Sequence, residues 1–338
     1  MSGFNTFSFA LISKMRGNAH PTPPQSYEVA MSTKSRKTAP KRIAAALVAS
    51  LLGLASLSAP ALAQSAAAAD TVYLAGAERV HVGGLMRTTA QRMAVASCFL
   101  DAGIETAEYS AQITQGIADY DSYLAALTDG DANFGINSAE ENRKLISTIY
   151  SVTSQWDRFK EAALGRLHGE GPTDGTDYVS RHNLNMMHTS KYLLREIIAV
   201  YAIPPAFLQS DAFTLDILTR QPALGNQVSK EACGLITGNT VMGSAPRFTK
   251  SVDRFDASMG ALINGFAGLG VSAPPTPEVR ATLEAIATDW AALKANLDQV
   301  IGSHDVTLAL AIDRQFADIN ARLEAVIPAY ITASKSGI

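Results

Sequence analysis

The chain has 338 residues, of which 47% are hydrophobic, 17% charged and 7% aromatic, with 24 Gly, 14 Pro and 2 Cys. That apolar content allows one or two sizeable buried cores and excludes disordered, collagen-like and disulfide-scaffold chains. The formal charge of −3 hides an asymmetry: residues 1–63 hold 7 of the 28 Lys and Arg but 1 of the 31 acids, leaving 21 basic against 30 acidic side chains beyond. So acidic a chain, with no basic stripe evident, is expected not to bind nucleic acid.

Lys34, Arg36, Lys37, Lys41 and Arg42 form a basic cluster, Ile43 to Leu57 an apolar run, and Ala61-Leu62-Ala63 a small-residue cleavage signal before Gln64. This order predicts an export leader over 31–63, cut after Ala63, and a mature protein in the periplasm. The alternative, a membrane anchor, needs ~20 apolar residues and does not normally end in Pro60 and small residues. Met31 is expected to be the start, with residues 1–30 lying ahead of it or forming an unfolded extension. Both cysteines, Cys98 and Cys233, would then experience an oxidising compartment.

Beyond the leader, helical periodicity dominates. Ile113, Ile117, Tyr120, Leu124 and Leu127 follow steps of 4-3-4-3, which sets five apolar side chains on one helical stripe. Phe248, Val252, Phe255, Met259 and Leu262 repeat that stripe 135 residues later, and Leu145 to Ala163 is repeated by Val279 to Leu297, pairing Trp156 with Trp290. A last segment, Leu194, Ile197, Ile198 and Tyr201, matches Leu323, Val326, Ile327 and Tyr330 at an offset of 129. Breakers fall between the stripes, at Asp129-Gly130-Asp131, Gly169 to Gly175, Pro204-Pro205 and Gly268 to Pro277. The pattern predicts an all-α tandem repeat of two four-helix-bundle modules, over 76–203 and 206–334, with the tryptophans as core anchors.

In the first helix, Gly84, Arg87, Gln91 and Cys98 fall within a stripe about 60° wide, roughly opposite an apolar stripe of Met86, Ala90, Met93, Ser97 and Leu100. The polar stripe suits a planar anion held by a guanidinium fork, with a glycine for close approach. A solvated face that merely contains an arginine is the alternative.

The run Val80-His81-Val82-Gly83-Gly84, with Arg87 and Arg92 following, resembles the first-helix motif of PilJ-type N-terminal domains of type IV pilus chemotaxis transducers. It is also similar to the corresponding motif of the NarX/NarQ nitrate and nitrite sensor kinases. In that motif His81 stands where the family has Asn, Gly83 where it has Ala, and Thr88 where it has Met. The resemblance is strongest over 76–103, weaker through 203, and architectural beyond.

It implies a helical sensor module that binds a small, nitrate- or nitrite-like anion through Arg87, with Gly84, Gln91, Arg92 and His81 around it. It also implies a possible homodimer in which two first helices pair. The second half has lost the motif, because Arg87, Gln91 and Arg92 become Pro222, Asn226 and Gln227. One arginine offers about 3–6 kcal/mol through two charge-assisted hydrogen bonds, so tight binding needs further donors.

Cys98 and Cys233 occupy matching repeat positions. If the first helices of the two halves pack side by side, the two cysteines meet, and a disulfide is expected. Two buried free thiols are the alternative. His182, Met186, Met187 and His188 spread around their helix and are expected to bind no metal. Glu140-Glu141 is expected to open a helix capped at Asn137-Ser138. With no nucleophile and base arrangement and no cofactor motif, no enzymatic activity is expected. The function expected is a stand-alone sensor that reports a small anion to a membrane-bound signalling or transport partner; the alternative is an envelope adaptor whose anion motif is vestigial.

Overall fold

Helix periodicity becomes eight helices among the described residues: α1 (Ala59–Asp101), α2 (Thr106–Asp129), α3 (Arg143–Leu167), α4 (Tyr178–Tyr201), α5 (Gln209–Ile236), α6 (Ala245–Asn264), α7 (Pro277–Leu297) and α8 (Val306–Lys335). The structure, a computed structural model, describes residues 59–170, 178–204 and 207–335, with side chains from residue 75. The leader read over 31–63, apart from the α1 backbone of 59–63, and the segment 1–30 lie outside the described residues. None of the helices described is long and apolar enough to cross a membrane.

The two halves repeat each other helix by helix. In the first, α1 packs on α2 and α4, and α3 on α4 and α2; in the second, α5 packs on α6 and α8, and α7 on α8 and α6. Trp156 donates to Asp121 Oδ1 at 2.7 Å and Trp290 to Asp256 Oδ1 at 2.8 Å, so both indoles are buried apolar anchors with their one donor satisfied. The loops between second and third helices are duplicated too. Each has a short 3-10 turn and one isolated bridge, Asp131 to Ile136 and Phe266 to Val271. Gly130, Gly135, Gly265 and Gly270 all take positive φ there, which a side chain would resist.

Both halves lie in one compact unit with a single contiguous apolar core. The join is the pairing of α1 with α5. Cys98 and Cys233 form the expected disulfide across it. This pairing corrects the two-stripe reading of α1: Arg87, Gln91 and Cys98 on one stripe are as buried as Met86, Ala90 and Met93 on the other. A helix that serves its own bundle on one side and a second bundle on the other has little surface left for water, here at His81, Leu85 and Arg92. Most of α5 from Gln221 to Gly234 is buried for the same reason.

The cap of α3 also differs from expectation. The helix starts at Arg143, and Asn142 caps it by accepting from the backbone N–H groups of Lys144 and Leu145. Glu140 is instead drawn into the core by Arg79, whose Nη1 lies 3.2 Å from Glu140 Oε2. Arg79 also donates to the carbonyls of Leu127 and Ser138, and the Tyr201 hydroxyl donates to Glu140. A buried ion pair therefore ties α1 to the α2–α3 loop and the end of α4.

Candidate functional site

Arg87 is 1% exposed, which removes the solvated-face alternative. Its Nη2 donates to Asp216 Oδ1 at 2.8 Å, to the Asp216 carbonyl at 3.1 Å and to Thr219 Oγ1 at 3.1 Å, all on α5. Its Nε is buried without a partner. Burial and the nearby Arg220 guanidinium lower its pKa, while Asp216 opposes them. The arginine thus sits in the seam between the halves, half-satisfied by an internal carboxylate.

The other expected site residues do not converge on it. Gly84 does permit close approach, but of Thr219 from α5: a Cβ at position 84 would lie 2.4 Å from the Thr219 Cβ. Gln91 donates to the Asn183 carbonyl and accepts from buried Lys230, whose Nζ also donates to Asn183 Oδ1 at 2.8 Å. Burial pulls the Lys230 pKa down to about 8. Arg92 points to the opposite side of α1 and pairs with Asp119 at 2.8 Å. His81 is largely buried, and loss of hydration lowers its pKa to about 4, so it is a neutral imidazole. Of the five, Arg87 alone lines the cavity described next.

That cavity, about 520 Å³, opens between α4 and α6 above the α1–α5 seam. Arg87, Arg220, Leu224 and Gln227 contribute from the seam, Lys191 and His188 from α4, and Arg247, Lys250 and Arg254 from α6. Among the described residues no carboxylate lines it. This corrects the expectation that the chain has no basic stripe: Arg247, Lys250 and Arg254 follow i, i+3, i+7 spacing and share one face of α6. The signal was legible in that spacing, but alternating acids such as Asp253 and Asp256 hide it in the linear charge pattern. Asp216 carried no signal at all.

Arg92 lines a second cleft, of about 340 Å³, on the other side of the seam, together with Gln112, Gln115, Asp313, Asn320 and Glu324. On α4, His182 stacks on Tyr178 and Met186 is core, and no group of three or more His, Cys, Asp and Glu side chains that could hold a metal occurs among the described residues.

The chain is thus an all-α tandem of four-helix units with a polar cavity beside its central helix pair. The chain belongs to the PilJ family, described as the type IV pili methyl-accepting chemotaxis transducer N-terminal domain, whose model matches residues 71–180 and again 209–315. The double match falls on the two halves of the repeat. No curated protein and no solved structure matches the chain. Membership supports a signalling or sensing role, and the family is a sensory, non-catalytic one.

Proposed function

We propose that this protein is a stand-alone periplasmic sensor of a small anionic ligand, nitrate- or nitrite-like, that reports to a separate membrane-bound partner. The single observation that carries this reading is Arg87, 1% exposed and yet lining a cation-rich cavity in the seam of a PilJ-family fold. A guanidinium in a low-dielectric seam holds an oxyanion more firmly than one in water. The export signal read over 31–63 supports the location, and the modules at 76–203 and 206–334 would act as one receptor body. The resemblance to nitrate sensor kinases supports the ligand class.

A second reading has its own observation. Asp216 already occupies Arg87 Nη2, as an internal carboxylate would in an envelope adaptor whose anion site is vestigial. Calorimetry with nitrate, nitrite and other small oxyanions on the wild type and Arg87→Ala separates the two. Saturable heat abolished by the substitution is expected of a sensor. Absence of heat with every anion would leave the adaptor.

A further inference from the structure

We infer that the cleft between α4 and α6 binds a small multivalent oxyanion, a molecule with two or more carboxylate or phosphate groups, more tightly than a single nitrate-sized ion. The inference rests on the anion-sensing reading and names its ligand class.

Charge comes first. Six cations line the cleft, and among the described residues only Arg87 has a carboxylate partner. Arg247 spends its donors on Ser244 and the carbonyls of Thr240 and Val241, which neutralise nothing. Arg220 Nε is buried with no partner, beside an Arg87 Nε in the same condition. Residues beyond 63 carry more acids than bases, so this gathering runs against the composition of the chain. Like charges held together raise the energy of the empty cleft, and a single small anion would compensate one or two of them.

Geometry asks for more than one anionic group. Arg247 and Arg254 stand seven helical steps apart on α6 with Lys250 between them, a row about 10 Å long, while Arg87 and Arg220 lie at the seam. A volume of about 520 Å³ lies in the range of small-organic-molecule sites. A four-atom ion bound at Arg87 would leave the α6 row uncompensated.

The repeat supplies an internal control. The second cleft is the symmetry mate of the first: Arg247, Lys250 and Lys191 correspond to Gln112, Gln115 and Asn320, all of which line it, and Arg254 corresponds to Asp119. The same helix frame therefore stands without these cations on one side of the molecule. Folding does not require them, and their presence on the other side calls for a ligand.

The test is calorimetry on the full chain at fixed ionic strength with nitrate, succinate, citrate and pyrophosphate. Its variants are Arg87→Ala and the exposed pair Lys250→Gln with Arg254→Asp, which installs what the second cleft carries. Citrate or pyrophosphate should bind one per chain, about tenfold or more tighter than nitrate, and lose that advantage in the double variant with an unchanged melting temperature. Whichever of the two binds tighter assigns carboxylate or phosphate groups. Equal affinity for all four anions, heat without saturation, or an indifferent double variant overturns the inference. If nitrate binding still depends on Arg87 in that case, the anion-sensing reading survives. If no anion binds, both fall.

Discussion

Gly84 and Thr219 hold the same position in the two repeats and touch across the seam, so closely that any Cβ on residue 84 would collide with the threonine. Fourteen residues on, Cys98 and Cys233 are again equivalent and again joined, their Cα atoms 6.3 Å apart. Matched pairs at both places mean that α1 and α5 run parallel about a pseudo-two-fold axis. Gly84→Ala should cost about 1–3 kcal/mol, because the contact is with a Cβ fixed to the helix backbone and not with a flexible side-chain end. Urea unfolding measures this, and an unchanged midpoint would mean the seam can open without penalty.

The disulfide closes a loop of sequence separation 135 between two buried sulfurs. In the chain-entropy model such a crosslink contributes about 4–5 kcal/mol. Cys98→Ala with Cys233→Ala should lower the unfolding free energy by that order, and reductant should destabilise the wild type but not the variant. Thiol titration of the unfolded, unreduced protein should find no free thiol.

Among the described residues Glu140 is the only carboxylate paired with Arg79, and both side chains are 1% exposed. Removing it leaves a buried guanidinium charge uncompensated and the Tyr201 hydroxyl without its acceptor. Glu140→Ala should therefore cost about 3–5 kcal/mol. Replacing the exposed neighbour Glu141 should have little effect, and equal losses at the two positions would refute the buried-pair account.

His81 is neutral in the fold, with its pKa lowered to about 4 from an ordinary 6.5 by loss of hydration. The unfolded chain takes up its proton first, so the contribution is intact above about pH 6.5 and is lost as the pH falls through 6.5 towards 4. That shift corresponds to roughly 3 kcal/mol. His81→Asn should abolish this part of the acid sensitivity. Denaturation midpoints at pH 7.5 and 4.5 check it: the wild type should lose much more stability than the variant between the two.

Helix number, the tandem repeat and the cysteine pairing were all readable from the residues, because each is carried by local periodicity or by position within a repeat. Ile113 to Leu127 and Phe248 to Leu262 show their stripes whatever surrounds them. Equivalent positions on facing central helices must meet if the halves pair symmetrically, which is why Cys98 and Cys233 could be matched in advance. Tertiary structure decided the partners of the polar groups. Arg87 found Asp216, Arg79 found Glu140, and Gln91 found Lys230 and Asn183, each across a sequence distance that no spacing rule spans. It also decided where the cations collect: Lys191, Arg220 and Arg254 come from three helices of two different repeats and share a cleft only because α1 and α5 are clasped between them. Apolar patterning is written along a helix, whereas the electrostatics of a site is a sum over neighbours that only the folded chain brings within reach.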